Sequence, residues 1–390
     1  MMLISKSTVL WVCGLTLAIL TAAVVFVFNP MGLGPEPETV LSHEFFTTST
    51  QDLSQLELLV DGKEAFDEIL EAIDCARSSI FVQIFIWKDD TIGQRIVAGL
   101  KAAAKRGVRV TVRKDALGTF FEFGDMVKGK MSPVFTKAGL RGYENIDVDV
   151  DVFAGTDHSK YFIVDERLAI FGGMNIGEEY HSQWHDYMVL IRSRQWTTSF
   201  TDLVMKSFPW PDPSPFVVAV NDERATEIRT ALIQMIDNAN ESVIIEHAYF
   251  SDSKVIEAVS RAAQRGITVE IILPKETDTH GYANMSTINR LLDSGSETNL
   301  KVFLYPHMSH AKVVLTDGEI AAVGSANLTP RSMLTSREVT LFVHGSRDDP
   351  FLKKLRQRLN ADVDKSEQIM APFKLCFTDR IKAVVGKYVW

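Results

Sequence analysis

The 390-residue sequence predicts an α/β protein of two matching halves, and three observations carry that expectation. Helical and strand-like segments alternate along it, the pattern of βαβ units and a mainly parallel sheet in each half. The stretch Ala102 to Val110 reappears with few changes as Ala262 to Val269, so whole supersecondary units are repeated. A polar pattern also occurs twice: His158, Lys160 and Asp165 followed by Gly172, Gly173 and Asn175, and His310, Lys312 and Asp317 followed by Gly324, Ser325 and Asn327. Asp186 stands 28 residues after His158, and Glu338 stands 28 after His310.

Taken in order, the chain begins with 21 uncharged residues, Thr8 to Phe28, long enough to cross a bilayer as one helix. A cleaved signal peptide is the alternative, but Ala18, Ala22 and Ala23 lie inside the span and no cleavage pattern follows it. Lys6 before the span and Glu36, Glu38 and Glu44 after it place the body on the non-cytoplasmic side. Residues 1–28 are therefore expected to be a single-pass anchor, and the Pro- and Gly-bearing residues 29–55 a linker.

In the first half, expected at 56–208, Phe66, Ile69, Leu70 and Ile73 recur at helical spacing. Ser79 to Trp87 reads as a buried strand, Thr91 to Arg106 as a helix stopped by Gly107, and Val108 to Arg113 as the next strand. The proline run at 209–216 is the seam. The second half, 217–370, repeats the order with a helix at Glu227, a strand at Ser242, a helix at Lys254 and a strand at Ile267. A tail helix is expected at 371–390. Each His-x-Lys begins a strand that turns at its Asp and returns toward Gly-x-Asn, which gathers His, Lys and Asn on one patch per half.

Two histidines can divide one displacement, one attacking and the other protonating the leaving oxygen. Lys160, Lys312, Asn175 and Asn327 are donors suited to a phosphoryl group that gains charge in the transition state. Asp186 and Glu338 are candidates to orient the imidazoles. Asp165 and Asp317 complete the candidate catalytic set, although their place in the turns also suits them to hold the hairpins. Gly173, Ser325 and Tyr249 are candidate substrate-binding residues. His and Asp also ligate metals, but the recurring Lys would repel a cation, so metal-free, cofactor-free phosphotransfer is expected.

This double pattern resembles the phospholipase D superfamily over residues 60 to 345. Gly172 to Tyr180 with Trp184, His185 and Asp186, and then Tyr249-Phe250, Ile271 to Pro274 and Gly324 to Ser332 with Glu338, are most similar to bacterial cardiolipin synthases. Departures from their usual pattern are Ser159, Glu166, Glu246 to Ala248, and Thr329-Pro330. The resemblance implies two αβα sandwich domains sharing one active site, a phosphohistidine on His158, acid and base duty for His310, and no metal.

The net charge of −9 gives no electrostatic footprint for nucleic acid, which argues against a nuclease using the same residues. Three functions follow: a membrane-anchored phosphatidyltransferase exchanging headgroups, with phosphatidylglycerol as substrate; a phospholipase D using water; and, less favoured, the nuclease. A degenerate, non-enzymatic member is the remaining class, and the intact double pattern argues against it. Cys13, Cys75 and Cys376 are too scattered for a disulfide framework. Asp147 to Val152 alternates as a strand with one acidic face. Phe120, Phe121, Phe123, Met126 and Met131 suit either a core or a lipid-facing rim, and the tail from Phe373 suits either a docked helix or an interfacial one.

Overall fold

The computed structural model describes residues 52–137, 139–151, 156–222, 225–293 and 299–389. The apolar span 8–28 and most of the linker lie outside them. Among the described residues, no helix is long and apolar enough to cross a membrane.

The first half contributes β1 (Leu56–Val60), α1 (Asp61–Cys75), β2 (Ser79–Ile84), α2 (Thr91–Lys105), β3 (Arg109–Asp115), α3 (Ala116–Phe121), α4 (Phe123–Val127) and β4 (Ile146–Asp151). It continues with β5 (Tyr161–Val164), β6 (Leu168–Gly172), α5 (Glu178–Ser182), β7 (Tyr187–Ile191) and α6 (Arg194–Lys206). The second half begins with β8 (Phe216–Asp222), β9 (Ala225–Thr226), α7 (Glu227–Asp237), β10 (Ser242–His247), α8 (Ser253–Gln264), β11 (Thr268–Pro274) and α9 (Gly281–Leu292). Then come β12 (Leu300–Tyr305), β13 (Lys312–Thr316), β14 (Ile320–Gly324), α10 (Pro330–Leu334), β15 (Glu338–His344), α11 (Pro350–Lys365), β16 (Glu367–Gln368) and α12 (Phe377–Val389).

The strands form two sheets, ordered β1-β7-β6-β5-β2-β3-β4 and β16-β12-β11-β10-β13-β14-β15-β8-β9. The expectation of mainly parallel sheets is corrected here. Only β2-β3-β4 and β10-β11-β12 are parallel, and the remaining pairs are antiparallel. Parallel pairing needs a crossover helix, as α2 and α8 provide. The His-x-Lys strands instead turn back through tight hairpins, and a hairpin can only pair antiparallel.

Matching sequence gives matching local physics. Asp90 and Asp252 cap the starts of α2 and α8, accepting from Gly93 N and from Lys254 and Val255 N. Gly107 and Gly266 end the same helices at φ +92°, where a side chain would be strained. Helices α1 and α2 cover one face of the first sheet with Phe66, Ile96 and Leu100, while α7 and α8 cover the second with Leu232 and Val259. The facing sides share one core in which Tyr161, Phe171 and Phe200 pack with Val313, Leu341 and Leu355. Strands β5, β7 and β13 are buried along their whole length, which is why they read as unbroken apolar runs. The acidic alternation lies on β4 at the sheet edge, as expected. Cys75 and Cys376 are free thiols on the surface.

Both hairpins turn through two left-handed residues, Asp165 and Glu166 at φ 53° and Asp317 and Gly318 at 54° and 70°. Glu166 holds a conformation that glycine adopts without strain. Glu166→Gly is expected to stabilise the fold by about 1 kcal/mol, read as a higher denaturant midpoint with unchanged slope.

Candidate active site

The two patterns meet at the junction of the sheets through two equivalent main-chain bridges. His158 N–H donates to Arg337 O (2.9 Å) and Arg337 N–H to Thr156 O (2.8 Å). His310 N–H donates to His185 O (2.7 Å) and His185 N–H to Met308 O (3.1 Å). Each bridge sets the residue before a carboxylate against the residue before the opposite histidine. The carboxylates are therefore exchanged: His158 Nδ1 lies 2.9 Å from Glu338 Oε1, and His310 Nδ1 lies 2.7 Å from Asp186 Oδ2. The 28-residue interval that seems to tie each carboxylate to its own histidine ties it to the other half's. A carboxylate at Nδ1 takes the N–H there and leaves Nε2 for the pocket.

That pocket is a cleft open to solvent and is lined by both histidines and both asparagines. Asn175 Oδ1 accepts from Ile86 N (2.9 Å) and its amide donates to the Tyr180 hydroxyl (3.1 Å). Asn327 Oδ1 is buried and has no hydrogen-bond partner among the described residues. Lys160 directly precedes β5 and Lys312 opens β13, and both fold their ammonium groups back onto the His158 and His310 carbonyls. Lys312 Nζ is also 2.9 Å from His310 Nδ1.

Burial lowers Lys160 to about 7, with Lys312 nearby adding to the effect and Glu338 opposing it. Burial likewise lowers Lys312 to about 8, against Asp186 and Glu338. His158 keeps only 16% of its side chain exposed, and burial pushes it below its ordinary value despite Glu338. Its ring packs edge-on to Phe85 with 4.8 Å between centroids.

The two pairs differ electrostatically. Burial pushes Asp186 up to about 7, while burial and then Lys312 push His310 well down. Burial alone would raise Glu338, but His158, Lys160 and the Ser325 hydroxyl outweigh it and hold the carboxyl below its usual range. One position in the repeat contributes to the difference, after the larger effects of His158 and Lys160. Ser325 Oγ donates to Glu338 Oε2 (2.5 Å), whereas the equivalent Gly173 has no hydroxyl and a Cβ there would sit 2.4 Å from Asp186 Oδ1. As a unit, the Asp186–His310 pair therefore keeps its second proton to a higher pH than the Glu338–His158 pair does.

Several candidate residues are placed elsewhere. Asp165 accepts from the backbone N–H groups of Arg77, Ser78 and Ser79, and Asp317 does the same for Asn240, Glu241 and Ser242. Both sit at the far ends of β5 and β13, outside the pocket lining, so their geometry is that of hairpin supports rather than catalytic groups. Gly173 and Ser325 lie behind the carboxylates and do not line the pocket either. Tyr249 does, with its hydroxyl bonded to Asp278 and approached by Thr279 Oγ1 at 3.3 Å.

Sequence reasoning missed Leu117, Asp278 and His280, which also line it. They follow the carboxyl ends of β3 and β11, the positions where α/β sheets gather ligands. Among the described residues, His185, Glu246 and Asp362 form the one group with metal-ligating atoms close together, within 4.8 Å. Arg358 Nε lies 2.9 Å from Asp362, and the flanking carboxylates hold His185 well above its ordinary value against the cost of burial. That arrangement is a buried ionic cluster, already supplied with positive charge.

Comparison with known proteins places this geometry. The family model described as cardiolipin synthase, PLD-like domain, matches residues 69–208 and 232–363. The chain is 28% identical over 355 residues to the cardiolipin synthase of Listeria welshimeri, covering 82% of this chain and 71% of that protein. It is 28% identical over 367 residues to the major cardiolipin synthase of Bacillus subtilis, covering 83% and 70%. The phosphatidylserine synthase of Haemophilus influenzae shares the fold with a TM-score of 0.64 at 15% identity, over 87% of this chain and 93% of that one.

Proposed function

Since the chain belongs to the family of cardiolipin synthase, PLD-like domains, we propose that it is a phosphatidyltransferase exchanging phospholipid headgroups through a phosphohistidine on His158. The carrying observation is geometric: both imidazoles face one pocket, each with its Nδ1 held by the other half's carboxylate. Of the two pairs, Asp186–His310 is the one that keeps its second proton to higher pH. His158 Nε2 attacks phosphorus as the bond to the headgroup oxygen breaks, and His310 Nε2–H gives its proton to that oxygen. An incoming alcohol then returns its proton to His310 Nε2 and attacks phosphorus, and the P–N bond breaks to restore His158. Lys160, Lys312 and the two asparagine amides are the donors for the non-bridging oxygens. Phe85, Leu117 and Phe121 suit the glycerolipid side, and Asp278, Thr279 and Tyr249 a hydroxyl-bearing headgroup.

With phosphatidylglycerol as donor and acceptor, the purified protein is expected to yield cardiolipin and glycerol, with phosphatidic acid a minor product. Dominant phosphatidic acid at saturating acceptor would replace the transferase with a phospholipase D. We further propose that residues 8–28 anchor the protein, with the body on the non-cytoplasmic face. Protease added to intact cells is expected to digest the body; full protection would reverse the orientation.

A further inference from the structure

Helix α12 is turned inside out relative to an ordinary surface helix. It rests on the body through small residues: Ala383 is buried, and Gly386 lies where a Cβ would meet Ala283 Cβ at 3.6 Å and His280 Cδ2 at 3.8 Å. Its large apolar side chains point the other way. Phe377 is 78% exposed, Ile381 48%, Val384 60% and Val385 46%. These four stand at i, i+4, i+7 and i+8, one continuous face of a helix that no other described residue covers. Single exposed apolar residues are ordinary, but a whole apolar stripe marks an interaction surface.

Its position and charge say what the surface meets. The helix packs against α9, which begins just after the pocket-lining His280, and against α10, which carries the pocket-lining Arg331 and Ser332. It therefore borders the mouth of the catalytic pocket. From the other half, the segment after the pocket-lining Leu117 and Phe121 exposes Val127 at 73% and Met131 at 44%, with Lys128 and Lys130 between them. In a chain of net charge −9, the tail from Phe373 carries Lys374, Arg380, Lys382 and Lys387 against Asp379 alone. Apolar side chains ringed by basic ones fit an anionic lipid surface. A second copy fits worse, because a twofold contact through this patch would set like charges together.

We propose that the outer face of α12, with the Val127–Met131 segment across the mouth, docks the protein on an anionic bilayer so that the catalytic pocket opens onto the lipid headgroups. The inference rests on the phospholipid reading of that pocket. Residues 8–28 could by themselves bring the full chain to vesicles, so the test must read the helix rather than binding. In full-length protein with Cys13, Cys75 and Cys376 changed to Ser, a nitroxide is placed through Ile381→Cys or Val385→Cys, with Glu241→Cys as the surface control.

In vesicles of phosphatidylcholine and phosphatidylglycerol, the α12 labels are expected to relax with oxygen more than with an aqueous nickel chelate, and the control label the reverse. Phe377→Asp with Val385→Asp is expected to cut turnover on those vesicles ~10-fold or more while leaving turnover of dispersed short-chain phosphatidylglycerol within about twofold. Labels on α12 that stay as water-accessible as the control would overturn the proposal. So would equal losses on both substrates, or dipolar broadening between labels with a doubled mass, which would assign the face to a second copy. If the wild type turns over neither substrate, the transferase reading falls, and label depth still decides the docking.

Discussion

His158→Ala is expected to lower headgroup exchange by ~10⁴-fold or more, the scale seen when a covalent nucleophile is removed, and to abolish covalent capture of a labelled phosphatidyl group. Both effects follow from one nitrogen. His158 Nδ1 is committed to Glu338, and burial holds the imidazole below its ordinary value despite that carboxylate, which favours an unprotonated Nε2 in the pocket. His310, its counterpart in the other half, faces the same space, but the Asp186–His310 pair keeps its second proton to higher pH. Rapid quenching of wild type should trap an acid-labile phosphoramidate on the peptide bearing His158. A substrate with a better leaving group should not rescue this variant, because bond formation to phosphorus is what has been lost. Retained labelling in His158→Ala would move the nucleophile to His310 and reverse the assignment.

Most of this site was legible because it rests on residues that recur at fixed spacing. A duplicated His-x-Lys with Asn in step could be read as one shared site without any coordinates, and the helix caps and glycine stops repeat with it. Pairing across the halves was not legible. The 28-residue interval from His158 to Asp186 describes the chain, whereas the contact is made through the bridges at Arg337 and His185, between segments far apart in sequence. The parallel-sheet expectation failed for a related reason. Alternating helix and strand segments identify crossovers, but the hairpins after Lys160 and Lys312 set antiparallel neighbours that dominate both sheets.

The apolar stretch around Phe121 concealed its anchor, a buried ion pair between Lys114 and Glu122 at 2.7 Å, with Glu122 also accepting from Trp87 N. Hydropathy cannot show which glutamate is buried. The turn aspartates Asp165 and Asp317 show the converse case. They belong to the repeated pattern as firmly as the histidines do, but their place at the ends of apolar runs already suits them to hold the hairpins, and their backbone contacts are of that kind.

His310→Ala is expected to slow exchange by ~10²- to 10⁴-fold, the range for losing a general acid. Unlike His158→Ala, it should be partly rescued by a substrate whose leaving group needs no proton. The pH dependence separates the pair from its parts. Asp186 is raised to about 7 by burial, so the two-proton form of the Asp186–His310 pair is present below that pH and is lost as pH rises through it. With phosphatidylglycerol, turnover at saturation should therefore fall above about pH 7, whereas an activated substrate should lose little there. Asp186→Asn removes the carboxyl that keeps the second proton, leaving His310 with its protonation pushed well down by burial and Lys312. That variant should resemble His310→Ala at neutral pH with phosphatidylglycerol, keep its activity toward the activated substrate, and show its alkaline limb displaced to lower pH. A limb unmoved by Asp186→Asn would mean that Lys160 and Lys312, lowered to about 7 and 8, set it instead. In that case both substrates should lose activity together as the phosphate-binding charge is lost.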